Sequence, residues 1–446
     1  MSSTQTSNIL ADGSSPAPTS EGGWNLRSIY ALTLLTLAYA FNFFDRLLIS
    51  LLFPLIQEDL KLTDTELGLI TGVAFVLIYA LMGIPIARLA DRWNRKMIIG
   101  IGFSFWSAMT IATGFVTNVW QMAATRFAMG AGEAAGTPPS TSLLSDIFDK
   151  KHRPLAFSIM VSGTAISGLV FTPIAGWMGH LYGWRVVYWG AGCIGLALGI
   201  LMMLTVREPE RGRFDHKGPS DGLIKPSFKS SLAFLLARRT YVFVTLGAAL
   251  VTISFYAHIV WSTTFMLRVH GMSVAESASL LGPIRGISGL AGALGGGLLL
   301  TRLLRRDERW RIWLPAICFT VVGLSQYVFL FSPSIFFVAV GAAIDSLAAS
   351  MMVPLLSLLL IQVMPVPIRS FGMALYVLSI AVLGQIIGPL GVGILNDQLA
   401  TIWHEQAIRY SMAITALVGV IAGPIMLRAG RYLHDDTASA QTWSGQ

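Results

Sequence analysis

Apolar residues in this chain fall into long blocks rather than the alternating pattern of strands. Twelve blocks can be placed, at 28–54, 66–88, 96–117, 120–145, 153–178, 184–206, 241–268, 276–301, 311–331, 334–362, 369–394 and 407–429. Many reach the roughly 20 residues an α-helix needs to cross a bilayer. The pattern predicts an all-α polytopic membrane protein with 12 transmembrane helices in two six-helix bundles. The longest polar connection, REPERGRFDHKGPSDGLIKPSFKSSLAFLLARR, lies between blocks six and seven and divides the chain six plus six. Its tail, SFKSSLAFLLARR, is expected to form a short interfacial amphipathic helix. The expected units are an N-terminal tail over 1–24, a first bundle over 25–206, a linker over 207–240, a second bundle over 241–430 and a C-terminal tail over 431–446. The start, MSSTQTSNILADGSSPAPTSEGG, lacks the basic stretch of a signal peptide and reads as a disordered tail.

Composition agrees with the blocks. The chain of 446 residues is 54% hydrophobic and 12% charged, against about 25% charged in soluble domains, and its mean hydropathy is +0.66. The net charge of +8 invites a reading as nucleic-acid binding, but the positions of the basic residues oppose it. With the N-terminus inside, 24 of the 31 Lys and Arg fall in cytoplasmic segments and four at outer ends. The excess therefore records topology and contact with anionic lipid, both termini are expected in the cytoplasm, and no nucleic-acid partner is implied. Cys193 and Cys318 both lie in apolar blocks, where cysteine behaves as a small hydrophobe.

Charges inside the blocks are expensive and need a reason. Asp45 and Arg46 stand side by side in YAFNFFDRLLIS, with Asn42 one turn before Arg46. Neighbouring helical residues point about 100° apart, so the two charges do not face each other. Asp45 can exchange a proton when desolvated, whereas Arg46 stays charged. This suggests a proton switch beside an anion-binding or gating partner; the alternative is an ion pair that only holds helices together. Arg126 and Glu133 lie seven residues apart in span four, on nearly one face and about 10 Å apart along the axis. Each needs its own partner, or both line one cavity. In the second half, Arg285 sits near Pro283, Gly286 and Gly289, as a contact for an anionic head group or as a charge balanced by Asp345. Asp345 is that partner or a second titrating group. His258, in SFYAHIVW, reads as a packing residue or as a proton or substrate contact. Tyr79, Tyr256 and Tyr376 are candidate cavity aromatics. In QEDLKLTDTE, Thr63 or Asp64 is expected to cap the second helix.

The loop after span two reads ARLADRWNRKMII. It resembles the motif between the second and third helices of the major facilitator superfamily: Asp91, Arg92, Arg95 and Lys96 match, while Ala87 and Asn94 replace its two glycines. NFFDR in span one and RFAMGAGEAAGTPPSTSLLSDIF in span four resemble the Spinster-like lysolipid and sphingolipid branch, which shares the second departure. In the second half, GGGLLLTRLLRR has Thr301 where the repeat-related motif prefers an acid. Gly163, Gly168, Pro173 and Gly176 form a loose version of the fifth-helix motif. The resemblance implies the major facilitator fold. It also implies that Arg126 and Glu133 line the substrate path and couple it to protons. Asp91, Arg92, Arg95 and Lys96, with Asp146 and Arg153, are then expected to form a cytoplasmic gate latch.

Together these readings predict a proton-coupled secondary transporter of an amphipathic anionic lipid, such as a lysophospholipid or sphingoid phosphate. Proton coupling falls to Asp45 and Glu133, and cavity contacts to Asn42, Arg46, Arg126, Arg285, His258 and Asp345. The partners are protons, membrane lipids and the amphipathic substrate, with a monomer in the bacterial inner membrane as the working unit. The alternatives are an organic-anion or multidrug transporter and a non-transporting membrane sensor. No nucleotide loop, metal cluster or nucleophile constellation points to an enzyme, a cofactor or a metal.

Overall fold

Residues 23–214 and 227–443 are described by the computed structural model, and their regular structure is entirely helical. Ten helical runs are long and apolar enough to cross a membrane. Two features raise the number of spans to twelve. The run Val366–Ala429 is a hairpin of two spans, broken at His404, whose φ of +47° takes the chain out of the helical region. The fourth span, 119–147, is interrupted and consists of Val119–Glu133 and Thr137–Ile147. Its break falls in GEAAGTPP, where glycine loosens the helix and two prolines at the restart lack an N–H. Prolines fit there because the first turn of a helix has no intrahelical partner for that group.

Spans one to six are Leu26–Leu60, 64–92, Arg95–Thr113, 119–147, Arg153–Tyr182 and Trp184–Thr205. Spans seven to ten are Arg239–His270, Val274–Leu304, Trp310–Phe331 and Ile335–Gln362. Spans eleven and twelve are 369–403 and Ala407–Ala429. They form two six-helix bundles. An even number of crossings puts both chain termini on one face, the terminal face; the other is the distal face. Thr63 caps span two, and the Glu66 side chain answers it in a capping box.

The seam between the bundles is tight toward the distal face. Spans five and eight touch backbone to backbone: a Cβ on Gly168 would lie 2.7 Å from the Gly282 carbonyl oxygen. Spans two and eleven meet the same way at Gly68, where a Cβ would fall 2.7 Å from the Pro389 oxygen. Small residues allow this approach, and packing supplies the attraction. Phe53 of span one packs at a tilt against Trp261 of span seven, with ring centroids 5.3 Å apart. Spans two, five and eleven each carry one π-helical turn, at Ile70–Ala74, Ser167–Phe171 and Leu383–Ile387. All three lie at the seam; such turns mark helices that re-aim side chains. Toward the terminal face such close approach is absent at Gly83, Gly295 and Gly297, where a Cβ would have no neighbour within 4 Å.

The expected helix in the linker is present as Phe228–Ala237, with its Ser227 cap. The expected C-terminal tail carries a helix. Leu433–Thr442 is helical, and the Asp436 carboxylate accepts the Thr240 N–H at 2.7 Å, capping the start of span seven. Trp443 packs on Phe234 at 5.0 Å and ties this helix to the linker helix. Trp24 was assigned to the N-terminal tail, but it packs on Phe148 and His152. The rest of that tail, and linker residues 215–226, lie outside the described residues.

Candidate transport site

Spans one and four carry Asp45, Arg46, Arg126 and Glu133, and these four meet beside the interruption in span four. Glu133 is fully buried at the end of Val119–Glu133. Its Oε2 accepts from Arg46 Nη2 at 3.0 Å and from Asn42 Nδ2 at 3.2 Å. Asn42 and Arg46 therefore share a face, as their four-residue spacing requires. The Arg46 guanidinium also lies over the rings of Phe75 and Tyr79, 5.1 and 4.9 Å from their centroids. Arg126 lies two turns from Glu133 and has its own partners, donating to the backbone carbonyls of Asp45 and Arg46 at 3.2 Å each. Asp45 turns away from Arg46, and its Oδ2 accepts from the Trp106 indole N–H at 3.0 Å. Each buried acid keeps one oxygen with no hydrogen-bond partner among the described residues, Asp45 Oδ1 and Glu133 Oε1. Arg46, Phe75, Tyr256 and Gln385 border a small cavity between the bundles.

The second bundle holds its own polar cluster. Gln326 donates to Asp345 at 3.0 Å and accepts from Ser254 at 2.7 Å. Arg285 donates to the Ser262 hydroxyl at 2.5 Å. Arg285 and Asp345 are not in direct ion-pair contact, so the balance expected between them acts only through space. His258 is buried, its ring lies edge-on to Phe329 at 4.4 Å, and neither ring nitrogen has a hydrogen-bond partner among the described residues. The cluster lies inside the bundle, apart from the residues that meet Arg46.

The residues expected to form a gate latch join helices within the first bundle at the terminal face. Arg95 is 2% exposed. It pairs with Asp146 at the end of span four, and its Nε donates to Glu208 at 2.7 Å. Lys96 donates to the Val206 carbonyl at 2.8 Å, and its backbone N–H donates to Glu208. Arg153 donates to the Ser145 and Phe148 carbonyls. In the same loop, hydrogen bonds from the backbone N–H of His152 and from its ring hold the Asp149 carboxyl below the usual range. Arg92 is exposed. The side chain of Asp91 lies outside the described residues.

At the distal face the ionic contacts do cross between bundles. Arg268, at the end of span seven, grips Asp64 at the start of span two with bonds of 2.6 and 2.7 Å. It also donates to Gln57 at 2.8 Å. Asp397 of span eleven accepts the backbone N–H groups of Asp64 and Thr65 at 3.2 and 2.8 Å. An acid there satisfies open N–H groups of a helix start. Among the described residues, the hydrogen bonds that cross the seam gather here.

The Major Facilitator Superfamily profile matches residues 35–331. The chain belongs to this superfamily. It is 28% identical over 416 residues to an MFS-type efflux pump of Mycolicibacterium smegmatis, covering 92% of this chain and 94% of that one. It is 26% identical over 447 residues to the sphingosine-1-phosphate transporter SPNS2 of Danio rerio, covering 92% and 86%. A crystal structure of a bacterial homolog of the human lysosomal transporter Spinster, inward-facing and unoccupied, superposes with a TM-score of 0.82 at 27% identity. That match covers 93% of this chain and 99% of the other. The resemblance to the Spinster-like branch therefore extends over nearly the whole chain of this superfamily member.

Trp106, Glu208 and Arg268 are among the partners that the sequence does not mark. Trp106 sits in an apolar block with nothing to distinguish it from the chain's other tryptophans. Glu208 lies just past span six and reads as linker. Arg268 and Asp64 are 204 residues apart and separately resemble ordinary helix-end charges. The cap of span two is legible in the sequence and falls on Thr63, but the ionic partner of Asp64 is not.

Proposed function

We propose that this protein is a proton-coupled, alternating-access transporter of an amphipathic anion, a lysophospholipid or sphingoid phosphate. One observation carries the reading: a buried acid, Glu133, is held by Arg46 and Asn42 where Arg46 also borders the cavity between the bundles. Arg46 offers directed donors to an anionic head group, and a substrate phosphate would compete with Glu133 for them. Protonating Glu133 removes its hold on Arg46 and frees the guanidinium. Asp45 is the second exchanging acid, and Arg126 fixes the backbone that carries it. The apolar helix faces supply a lining for the tail. The relative that transports sphingosine-1-phosphate supports the substrate class. In this reading the terminal face is cytoplasmic, in keeping with its basic residues, so the sealed distal seam corresponds to an inward-facing state. A monomer in the bacterial inner membrane suffices, because both bundles of the cycle lie in one chain.

A second reading, export of drug-like amphiphiles, is favoured by the relative described as an efflux pump. Proteoliposome uptake with an imposed pH gradient tests both. Lysophosphatidate and sphingosine-1-phosphate serve as labelled probes, and cationic drugs as competitors. The lipid reading expects saturable, gradient-driven probe uptake that Glu133→Gln and Asp45→Asn abolish. Gradient-driven uptake at the wild-type rate in both variants would overturn the coupling assignment. Drug transport without lipid uptake would establish the second reading.

A further inference from the structure

A second recess lies inside the first bundle, between spans one, three and four. Tyr39, Asn42, Trp106, Gly136, Thr137 and Ser140 contribute to its lining. It shares no lining residue with the cavity between the bundles that Arg46 borders. Its inner end is formed by Asn42 and Trp106. Asn42 donates to Glu133 at 3.2 Å and Trp106 donates to Asp45 at 3.0 Å. The recess thus stops one hydrogen bond short of both buried acids.

The walls suit water. Two hydroxyls, the Asn42 amide and a phenol line a space for about one water-sized sphere, and a buried water needs two to four such partners; the Trp106 N–H is already committed to Asp45. The acids are equipped to use it. Both are buried, at 1% and 0% exposure, and each has one oxygen without a partner among the described residues. A proton on Glu133 Oε1 leaves the Oε2 contact with Arg46 in place. Lengthwise, the recess lies on the terminal side of the acids, since Leu35 and Ser140 are nearer that face than Asn42 and Glu133.

We propose that this recess is the proton route of the transporter: a water in it delivers and removes the proton of Glu133 and Asp45, while the anionic substrate meets Arg46 in the separate cavity between the bundles. This rests on the proton-coupled reading above. Asn42 and Trp106 stand between the recess and the acids, so the transfer follows a swing of either side chain off its acid: a hydronium ion in the recess then gives its proton to the uncovered carboxylate, leaving neutral water and a neutral acid. It leaves by the reverse step. Separate routes would let the protein load a proton while the substrate cavity is occupied. The groups that face the acids are Arg46 and Asn42 on span one, Trp106 on span three and Arg126 on span four. Tyr188 of span six lies within electrostatic reach of Asp45, and Tyr39, Tyr79 and Tyr256 within reach of Arg46.

Ser140→Leu fills the recess from span four, and Ala38→Leu fills it from span one. Gln385→Leu alters only the other cavity. The readout is the infrared carboxyl band of the purified full chain, assigned by its loss in Glu133→Gln and Asp45→Asn and followed after a jump in pH or into D2O. Both filling variants are expected to keep the band's amplitude and slow its exchange tenfold or more, with Gln385→Leu exchanging like wild type. Thermal unfolding near the wild-type temperature shows that filling has not unfolded the bundle. Wild-type exchange rates in a folded filling variant would overturn the recess as the route while leaving coupling intact. A wild-type protein with no carboxyl band that Glu133→Gln or Asp45→Asn removes would instead overturn the coupling reading itself.

Discussion

The distal seam makes Arg268→Gln the most direct test of the proposed alternating access. The substitution removes the bidentate grip on Asp64 and the bond to Gln57. Asp64 stays nearly buried and keeps its bond from Gln57 Nε2 at 2.7 Å. Truncating one partner of a fully buried pair costs about 3–5 kcal/mol, and an exposed pair about 0–1 kcal/mol. The Arg268 side chain is 21% exposed and that of Asp64 is 6% exposed, which places this pair between those limits, at about 2 kcal/mol. The contact joins spans two and seven, so the loss falls on the distally closed state and spares the state in which the bundles part at this face. About 2 kcal/mol corresponds to roughly a 30-fold shift in that equilibrium. Electron–electron resonance between spin labels at Lys61→Cys and Ala400→Cys, in a background lacking both native cysteines, measures it. The two sites are exposed and lie at the distal ends of different bundles. The expected result is a longer-distance population that grows in Arg268→Gln and grows equally in Asp64→Asn, with the double variant no worse than either single one. An unchanged distance distribution in Arg268→Gln, or strict additivity in the double variant, would refute the lock.

Other expectations follow from contacts elsewhere. Arg95→Ala leaves Asp146 and Glu208 without their shared cation; with Arg95 2% exposed the cost is about 3–5 kcal/mol, read as a lowered unfolding temperature in detergent. Arg95→Lys should recover only part of it, because one ammonium cannot reproduce the guanidinium fork. Gly168→Ala drives a Cβ toward the Gly282 carbonyl at 2.7 Å and should favour the parted bundles in the same resonance assay. Gly190→Ala meets its nearest atom at 4.0 Å and should leave the distances unchanged. Asp436→Ala removes the side-chain cap on span seven and should cost about 1 kcal/mol, seen as earlier proteolysis of the Leu433–Thr442 helix and the linker helix.

The sequence by itself determined the class of protein, the number of spans and the six-plus-six division. Each follows from the bilayer, which demands about 20 apolar residues per crossing and helices that satisfy their own backbone. It also exposed the charges that meet between spans one and four, because Asp45, Arg46, Arg126 and Glu133 are conspicuous in apolar blocks. Tertiary structure decided which of them meet. Adjacent Asp45 and Arg46 diverge around the helix, one to Trp106 of span three and the other to Glu133 of span four. Arg126 and Glu133 share a helix yet bond to different partners. Pairings such as Arg268 with Asp64, or Arg95 with Glu208, join residues far apart in the chain whose local patterns are those of any helix end. Periodicity reports which face of a helix is apolar, but the rotation of each helix and the neighbour it meets are set by packing between bundles. The seam, the lock and the recess beside Trp106 exist only at that level.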